Sequence, residues 1–337
     1  MNTTPGRTAS AEPMERFAAV VGGINIDIGG RSLSPLVPGD SNPGRVTVSL
    51  GGVGRNIAHN LRLLDVAARF LTAYGDDFYA DRFEASCREL GIDLGGSVRV
   101  PGAATSSYLY LADSDGEMAL AVSDMEICER ITPEFLFAGL PLLRGAGTVI
   151  LDTNIPEASV AWLARHSPAP LFADPVSTAK AGRLLPVLDR IHTLKPNRME
   201  AELLSGVRIA DARDCITAAR ALLQAGVQRV FLSLGADGVL AADRRELLRV
   251  PGIPAAVRNT TGAGDAFMAA LARAYCDGLS LADSCRFASA AASLTVECGE
   301  TVNPALSLAA VRERMKAFSV SPIPQSGDGT GQAPTRI

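Results

Sequence analysis

Thr148-Val-Ile-Leu-Asp152 opens with four apolar or β-branched residues and ends on a carboxylate, and the chain repeats that scheme. Leu171-Phe-Ala-Asp174, Ile191-His-Thr-Leu-Lys195 and Arg229-Val-Phe-Leu-Ser233 are variants of it. A short run without polar alternation reads as a strand buried on both faces, the kind found inside parallel sheets. Helical spacing near 133–143, 157–165, 198–205 and 212–225 lies between or beside these runs. The β-α alternation predicts a parallel sheet with helices on both faces. Every strand leads into polar residues: Asp152 and Asn154, Asp174, Lys195 and Asn197, Ser233 and Gly235. Ligands of open α/β sheets bind beyond the carboxyl ends of the strands, so these groups are expected along one edge. Phe17-Ala-Ala-Val-Val21, followed by Gly22-Gly23 and Ile24-Asn25-Ile26-Asp27, reads as the first buried strand and delivers Asn25 and Asp27 to that edge. A turn or cap is the alternative reading of Asp27.

Other segments do not suit a doubly buried sheet. Arg45-Val-Thr-Val-Ser-Leu50, Ser97-Val-Arg-Val100, Thr105 to Ala112 and Met118 to Val122 alternate or flank turns, as half-solvated antiparallel strands do. They are expected to form a small β lid, from about 29–50 and 97–123, on one main domain spanning 17–318. Between them, Gly51-Gly-Val-Gly-Arg-Asn56 opens a helix whose apolar face carries Ile57, Leu61 and Leu64. A dinucleotide fingerprint fails here, because Ile57 stands at the third glycine and no buried-type strand precedes it. Close approach of a polar ligand to Gly52 and Asn56 is the better use, with a structural helix-start role as the alternative for Asn56.

Further on, Thr260-Thr-Gly-Ala-Gly-Asp-Ala-Phe267 precedes Met268, Leu271 and Tyr275 at helical spacing, so Gly262-Ala-Gly-Asp265 stands where a loop becomes a helix. The free N–H groups and the positive dipole end suit an anion, and the glycines let it approach. Asp265 beside it can take a proton from an alcohol, which is the chemistry of phosphoryl transfer. Taken alone, the tetrapeptide reads more readily as a glycine turn with a capping Asp, so the rest of the chain decides. Asn197 and Glu200, three residues apart at another helix start, can hold magnesium through waters or form a capping box.

Bulk properties narrow the class. A 337-residue chain of 47% hydrophobic content and net charge −4 supports a large soluble core and offers no basic surface for nucleic acid. Six scattered cysteines and three histidines give neither a disulfide framework nor a zinc site. No apolar run reaches the ~20 residues of a membrane span and no secretory h-region opens the chain, so the expected location is the cytoplasm. Residues 1–16 and 319–337 read as disordered tails. Only three lysines occur, Lys180, Lys195 and Lys316, and none follows a Gly-x-x-x-x-Gly loop. A Walker A site is thereby excluded, and the protein-kinase, serine-hydrolase and zinc-protease signatures are missing too. A kinase reading therefore rests on Gly262–Gly264 as the anion hole.

With Asn25 and Asp27, Gly51-Gly-x-x-x-Asn56, Asn197-x-x-Glu200, Ser233-x-Gly235-x-x-Gly238 and Asn259-Thr-Thr-Gly-Ala-Gly-Asp265 in that order, the chain over 17–318 resembles the ribokinase-like (PfkB) carbohydrate and nucleoside kinases. The resemblance implies an α/β, three-layer αβα sandwich with a mostly parallel central sheet and a β lid that pairs with a second copy's lid in a homodimer. It implies ATP and Mg2+, with Asp265 as base and Gly262, Ala263 and Gly264 as the anion hole. Asn197 and Glu200 would form the phosphate and magnesium shell, with Glu200 at the metal, and Ser233, Gly235, Gly238 and Thr261 would border the nucleotide. Asn25, Asp27, Gly52, Asn56, Thr105, Ser107 and Asn154 would meet the substrate. Ser41-Asn-Pro-Gly44, Thr105-Ser-Ser-Tyr108, Asp174-Pro-Val-Ser177 and Asn303-Pro304 carry a nearer likeness to members that act on pseudouridine at its 5′-hydroxyl. Another nucleoside or sugar (ribose, adenosine, inosine) and a non-catalytic nucleoside-binding protein are the alternatives. Asn259 replaces the Asp with which the family motif often begins, near a monovalent-cation site, and leaves potassium dependence open.

Overall fold

A computed structural model of the chain describes residues 17–323, so the tail expected at 1–16 and all but residues 319–323 of the tail expected at 319–337 lie outside the described residues. Ten strands form one sheet in the order Ser321–Pro322, Leu247–Val250, Val239–Asp243, Arg229–Ser233, Thr193–Leu194, Leu171–Asp174, Thr148–Asp152, Phe17–Val21, Ala67–Leu71, Ile92–Asp93. From Arg229–Ser233 to Ile92–Asp93 every pairing is parallel, and the three strands beyond Arg229–Ser233 are antiparallel. Along Phe17–Val21 successive side chains feed two apolar layers. Ala18 and Val20 join Ile57, Leu61 and Met268 on one side, while Phe17, Ala19 and Val21 join Leu136, Val160 and Leu163 on the other. Burial on both faces is why these strands read as unbroken apolar runs, each large side chain contributing about 1.5–3 kcal/mol. Strand order reverses between Phe17–Val21 and Thr148–Asp152, and such a switch point opens a crevice at the carboxyl ends.

The second sheet has four strands in the order Gly44–Gly51, Asn25–Ser32, Ser107–Ala112, Met118–Asp124. Asn25 and Asp27 therefore open a lid strand and do not end the first buried one. Gly22-Gly23 breaks the chain between the two sheets, and Ile26 N–H donates to Ser106 O at 2.8 Å. Val98–Arg99, expected in the lid, pairs with Ala73–Tyr74 instead, because the Val98 and Val100 amides bond to Thr72 O and Tyr74 O. Ser321–Pro322, expected in a tail, adds an outer strand, a place where proline's missing N–H is tolerated.

Candidate active site

Asp152 ties the switch point together. Fully buried, it accepts backbone bonds from Gly23 (2.9 Å) and Gly54 (2.8 Å) at Oδ2, and from Asn154 (2.9 Å) at Oδ1. A Cβ on Gly22 would collide with its carboxylate, so the first strand's turn and the Val53–Leu63 helix start converge only because these positions are glycine. Burial holds its carboxyl up at about 6.

Asp265 lies in the first turn of the Ala263–Cys276 helix. That helix starts at Gly262 with φ 86°, and a Cβ there would overlap Thr301 O, which makes glycine obligatory. Asp265 is 8% exposed, and its carboxylate accepts from Asn56 Nδ2 at 2.9 Å. Two glycine-opened helices thus meet through one side-chain bond. Burial, then the nearby Asp174 charge, push its carboxyl up to about 8, while Asn56 and Lys195 act the other way. The Lys195 ammonium pairs with Asp174 Oδ2 at 3.2 Å.

On the far side of Gly264 opens a cavity of about 700 Å³. Ser233, Gly235, Gly238, Ala263 and Gly264, all anticipated from the sequence, line it beside Phe267, Val296 and the Gly252–Ala255 segment. Gly238 has φ 93°, and a Cβ would strike Val250 O, so the loop passes flush against its neighbouring strand. Asn197 and Glu200 form the capping box: Glu200 N–H donates to Asn197 Oδ1 and Asn197 N–H to Glu200 Oε2, both at 2.9 Å. Glu200 is buried, and its carboxyl is pushed up by that burial. Among the described residues no three His, Cys, Asp or Glu side chains cluster as a metal cage. Thr261 is exposed, its amide bound to Asn259 Oδ1 at 2.9 Å, while Asn259 Nδ2 reaches Gly299 O.

The opposite side of Asp265 is made of polar side chains. Asn25 Nδ2 donates to Asp27 Oδ1 at 2.6 Å, and Asn25 Oδ1 is buried without a partner. Asp27 is held up at about 6 by burial, against the pull of Asn25 and Arg55. Arg55 is buried and donates to Leu50 O (3.2 Å), Asn56 Oδ1 (3.4 Å) and Ser86 Oγ (3.2 Å). Gly51 and Gly52 make room, since a Cβ would strike the Asp27 carboxylate at the first and Gly23 O, 2.6 Å away, at the second.

Three residues expected to meet the substrate have partners of their own or a different face from Asp27. The Thr105 hydroxyl donates to Asp77 Oδ1 (2.9 Å) and accepts from Gly75 N–H (3.1 Å). Ser107 pairs with Ile26 while Tyr108 pairs with Asp27, so by register Ser107 leaves the sheet on the face opposite Asp27. Asn154 Oδ1 accepts from Lys180 Nζ. The geometry adds Tyr108 and Tyr110 on the Asp27 face, buried Arg55, and Lys195. The signals for these were period-2 alternation in Tyr108-Leu-Tyr110 and cations inside otherwise buried motifs.

A buried carboxylate at a helix start, flanked by a large cavity and by polar side chains at the root of a small β-sheet, defines a phosphotransferase of the ribokinase type. The family model described as pfkB family carbohydrate kinase matches residues 15–308, and the chain belongs to that family. It is 42% identical over 297 residues, covering 88% of this chain and 95% of the other, to a pseudouridine kinase of Escherichia coli (strain K12). An uncharacterized sugar kinase of the same organism is 39% identical, with 87% and 82% covered. Among solved structures, Arabidopsis thaliana ribokinase complexed with ribose and ATP superposes with TM-score 0.79 at 26% identity, over 90% of this chain and 99% of that one. The protein is an ATP-dependent phosphotransferase, a kinase of sugars or nucleosides.

Proposed function

We propose that the chain transfers the γ-phosphoryl group of ATP to the 5′-hydroxyl of pseudouridine. The observation supporting the site assignment is the Asn56–Asp265 contact, which joins the helix start carrying the buried carboxylate to the one beside the polar residues Asn25, Asp27 and Arg55. Asp265, in its ionised form, takes the hydroxyl proton as the oxygen attacks the γ-phosphorus. The bond from that phosphorus to the β-bridging oxygen breaks, giving pseudouridine 5′-phosphate, ADP and a proton later released from Asp265. The amides of Gly262, Ala263 and Gly264 face the phosphoryl oxygens. Asn25, Asp27, Gly52 and Asn56 hold the sugar hydroxyls, and Ser233, Gly235 and Gly238 border the nucleotide. Glu200 suits a magnesium ion carried mainly on phosphate oxygens and water, since the described residues offer no closed cage. When bound, that ion would neutralise phosphate charge. Asn259 offers no carboxylate to a monovalent cation and already bonds to Thr261 and Gly299.

Support for the acceptor comes from the 42% likeness to a pseudouridine kinase. A sugar acceptor is the second reading, favoured by the likeness to ribokinase. A coupled ATP-consumption assay over pseudouridine, uridine, adenosine, inosine and ribose separates them, with phosphorus NMR of the product. Pseudouridine is expected to give the highest kcat/KM and a 5′-monoester. Faster turnover of ribose would overturn the acceptor, and nucleoside binding without ATP consumption would overturn catalysis.

We also propose a homodimer through the lid. Val46, Val48, Leu109, Leu111, Leu120 and Val122 are 38–72% exposed and share one face by register, a patch suited to a second copy. Light scattering should give twice the chain mass and Leu120→Lys should halve it; a monomeric wild type refutes the assembly.

A further inference from the structure

Lys195 ends the Thr193–Leu194 strand at 8% exposure, with its ammonium 3.2 Å from Asp174 Oδ2. Mutual neutralisation of two adjacent strand ends would account for a buried pair. Three further observations exceed that account. A Cβ on Gly264 would come within 3.0 Å of Lys195 Nζ, so no side chain separates the ammonium from the backbone that opens the Ala263–Cys276 helix. Lys195 is also the sole charged side chain among the described residues that line the 700 Å³ cavity. Its charge is shared among Asp174, Glu200 and Asp265, whose pull outweighs burial and keeps it cationic.

A triphosphate brings several more negative charges to a place already rich in carboxylates. Helix-start amides carry only partial charge, and a desolvated ammonium forms hydrogen bonds about twice as strong as a neutral donor does. We propose that Lys195 Nζ is a phosphate ligand, moving from Asp174 onto the terminal phosphate oxygens of ATP and holding charge on the γ-phosphoryl group during transfer. The ammonium keeps its protons and makes no covalent bond. Asp174 is its resting partner and Gly264 the gap through which it reaches. This rests on ATP-dependent phosphotransfer and is independent of which acceptor is used.

The test is calorimetric titration of the full chain, without any nucleoside acceptor, using the imido analogue of ATP, ADP and AMP. Lys195→Met should weaken the analogue by roughly 10- to 100-fold, the equivalent of one charged hydrogen bond, ADP by less than the analogue, and AMP by less than about threefold. Lys195→Arg should recover part of the loss. Removing the lysine alone strands a buried Asp174, so the double variant Asp174→Asn with Lys195→Met is the control for folding. It should melt like the wild type and still bind the analogue weakly. Wild-type affinity for the analogue in the folded double variant overturns the proposal, as does an equal loss for AMP, the sign of a collapsed cavity wall. Absence of turnover on every nucleoside tried would leave these binding results intact, so the two failures are distinguishable.

Discussion

The two walls that meet at Asp265 are built on different principles. The wall proposed for the nucleotide is backbone and small side chains: Gly235, Gly238, Ala263 and Gly264 shape it, and neighbouring carbonyls exclude a Cβ at Gly238 and Gly262. The wall proposed for the acceptor is polar side chains: Asn25, Asp27, Arg55 and Asn56 are linked by hydrogen bonds or charge, with the Asn25 oxygen unpartnered. A wall of backbone fixes shape and admits any ligand with the right phosphates. A wall of buried polar atoms discriminates, because a ligand lacking the matching hydroxyl leaves those atoms unpaired.

Asp265 belongs to both walls, and its replacement is the severest test. Asp265→Asn keeps an acceptor oxygen for Asn56 yet loses the base, so kcat should fall roughly 10²–10⁴-fold while both KM values stay near wild type. Near-normal turnover would remove Asp265 from the chemistry. The next largest effects should separate the walls. Asp27→Ala should raise the acceptor KM by about 100-fold and move the ATP KM by less than about twofold. Gly238→Ala, strained at φ 93°, should raise the ATP KM about tenfold and leave the acceptor KM alone. If either substitution moves both KM values together, the walls are one coupled unit and the contrast fails.

Legibility in the sequence follows the same divide. Strands such as Thr148–Asp152 and Arg229–Ser233 were readable because burial on both faces leaves no polar interruption. Ala67–Leu71, with Arg69 in its middle, was not, since that arginine lies over Phe17 at the sheet's thin end and reaches Leu142 O. Glycines of the nucleotide wall were visible because a glycine constraint is local to the backbone. The sheet face that Ser107 takes was illegible because composition says nothing of register, and one residue's slip exchanges sheet faces. The Thr105 partner was illegible for a related reason: Asp77 lies 28 residues away and serves at the same time as the N-cap of the Phe78–Leu90 helix. Lys195 appeared as one more polar strand end, and only the space left by Gly264 gives it a direction.

The smallest effect is a difference in stability, and it sharpens the contrast most directly. The Asp265 carboxyl is pushed from an ordinary 3.8 to about 8, chiefly by burial. An acid raised in the folded state retains its proton when the unfolded chain has lost it, so the folded protein binds more protons across that interval. Its stability relative to a neutral side chain is therefore untouched below about pH 4, declines as pH climbs toward 8, and stays low above. Asp265→Asn removes that liability and should raise unliganded stability by about 1–3 kcal/mol at pH 9 and far less at pH 5. The described lining of the nucleotide cavity contains no acid, so Gly238→Ala should destabilise by the same amount at both pH values. Thermal melts of the three proteins from pH 5 to 9 read this out. A pH-independent gap between Asp265→Asn and wild type would mean that the carboxyl is not held protonated by its surroundings, and that the junction between the walls is no costlier to ionise than an open surface.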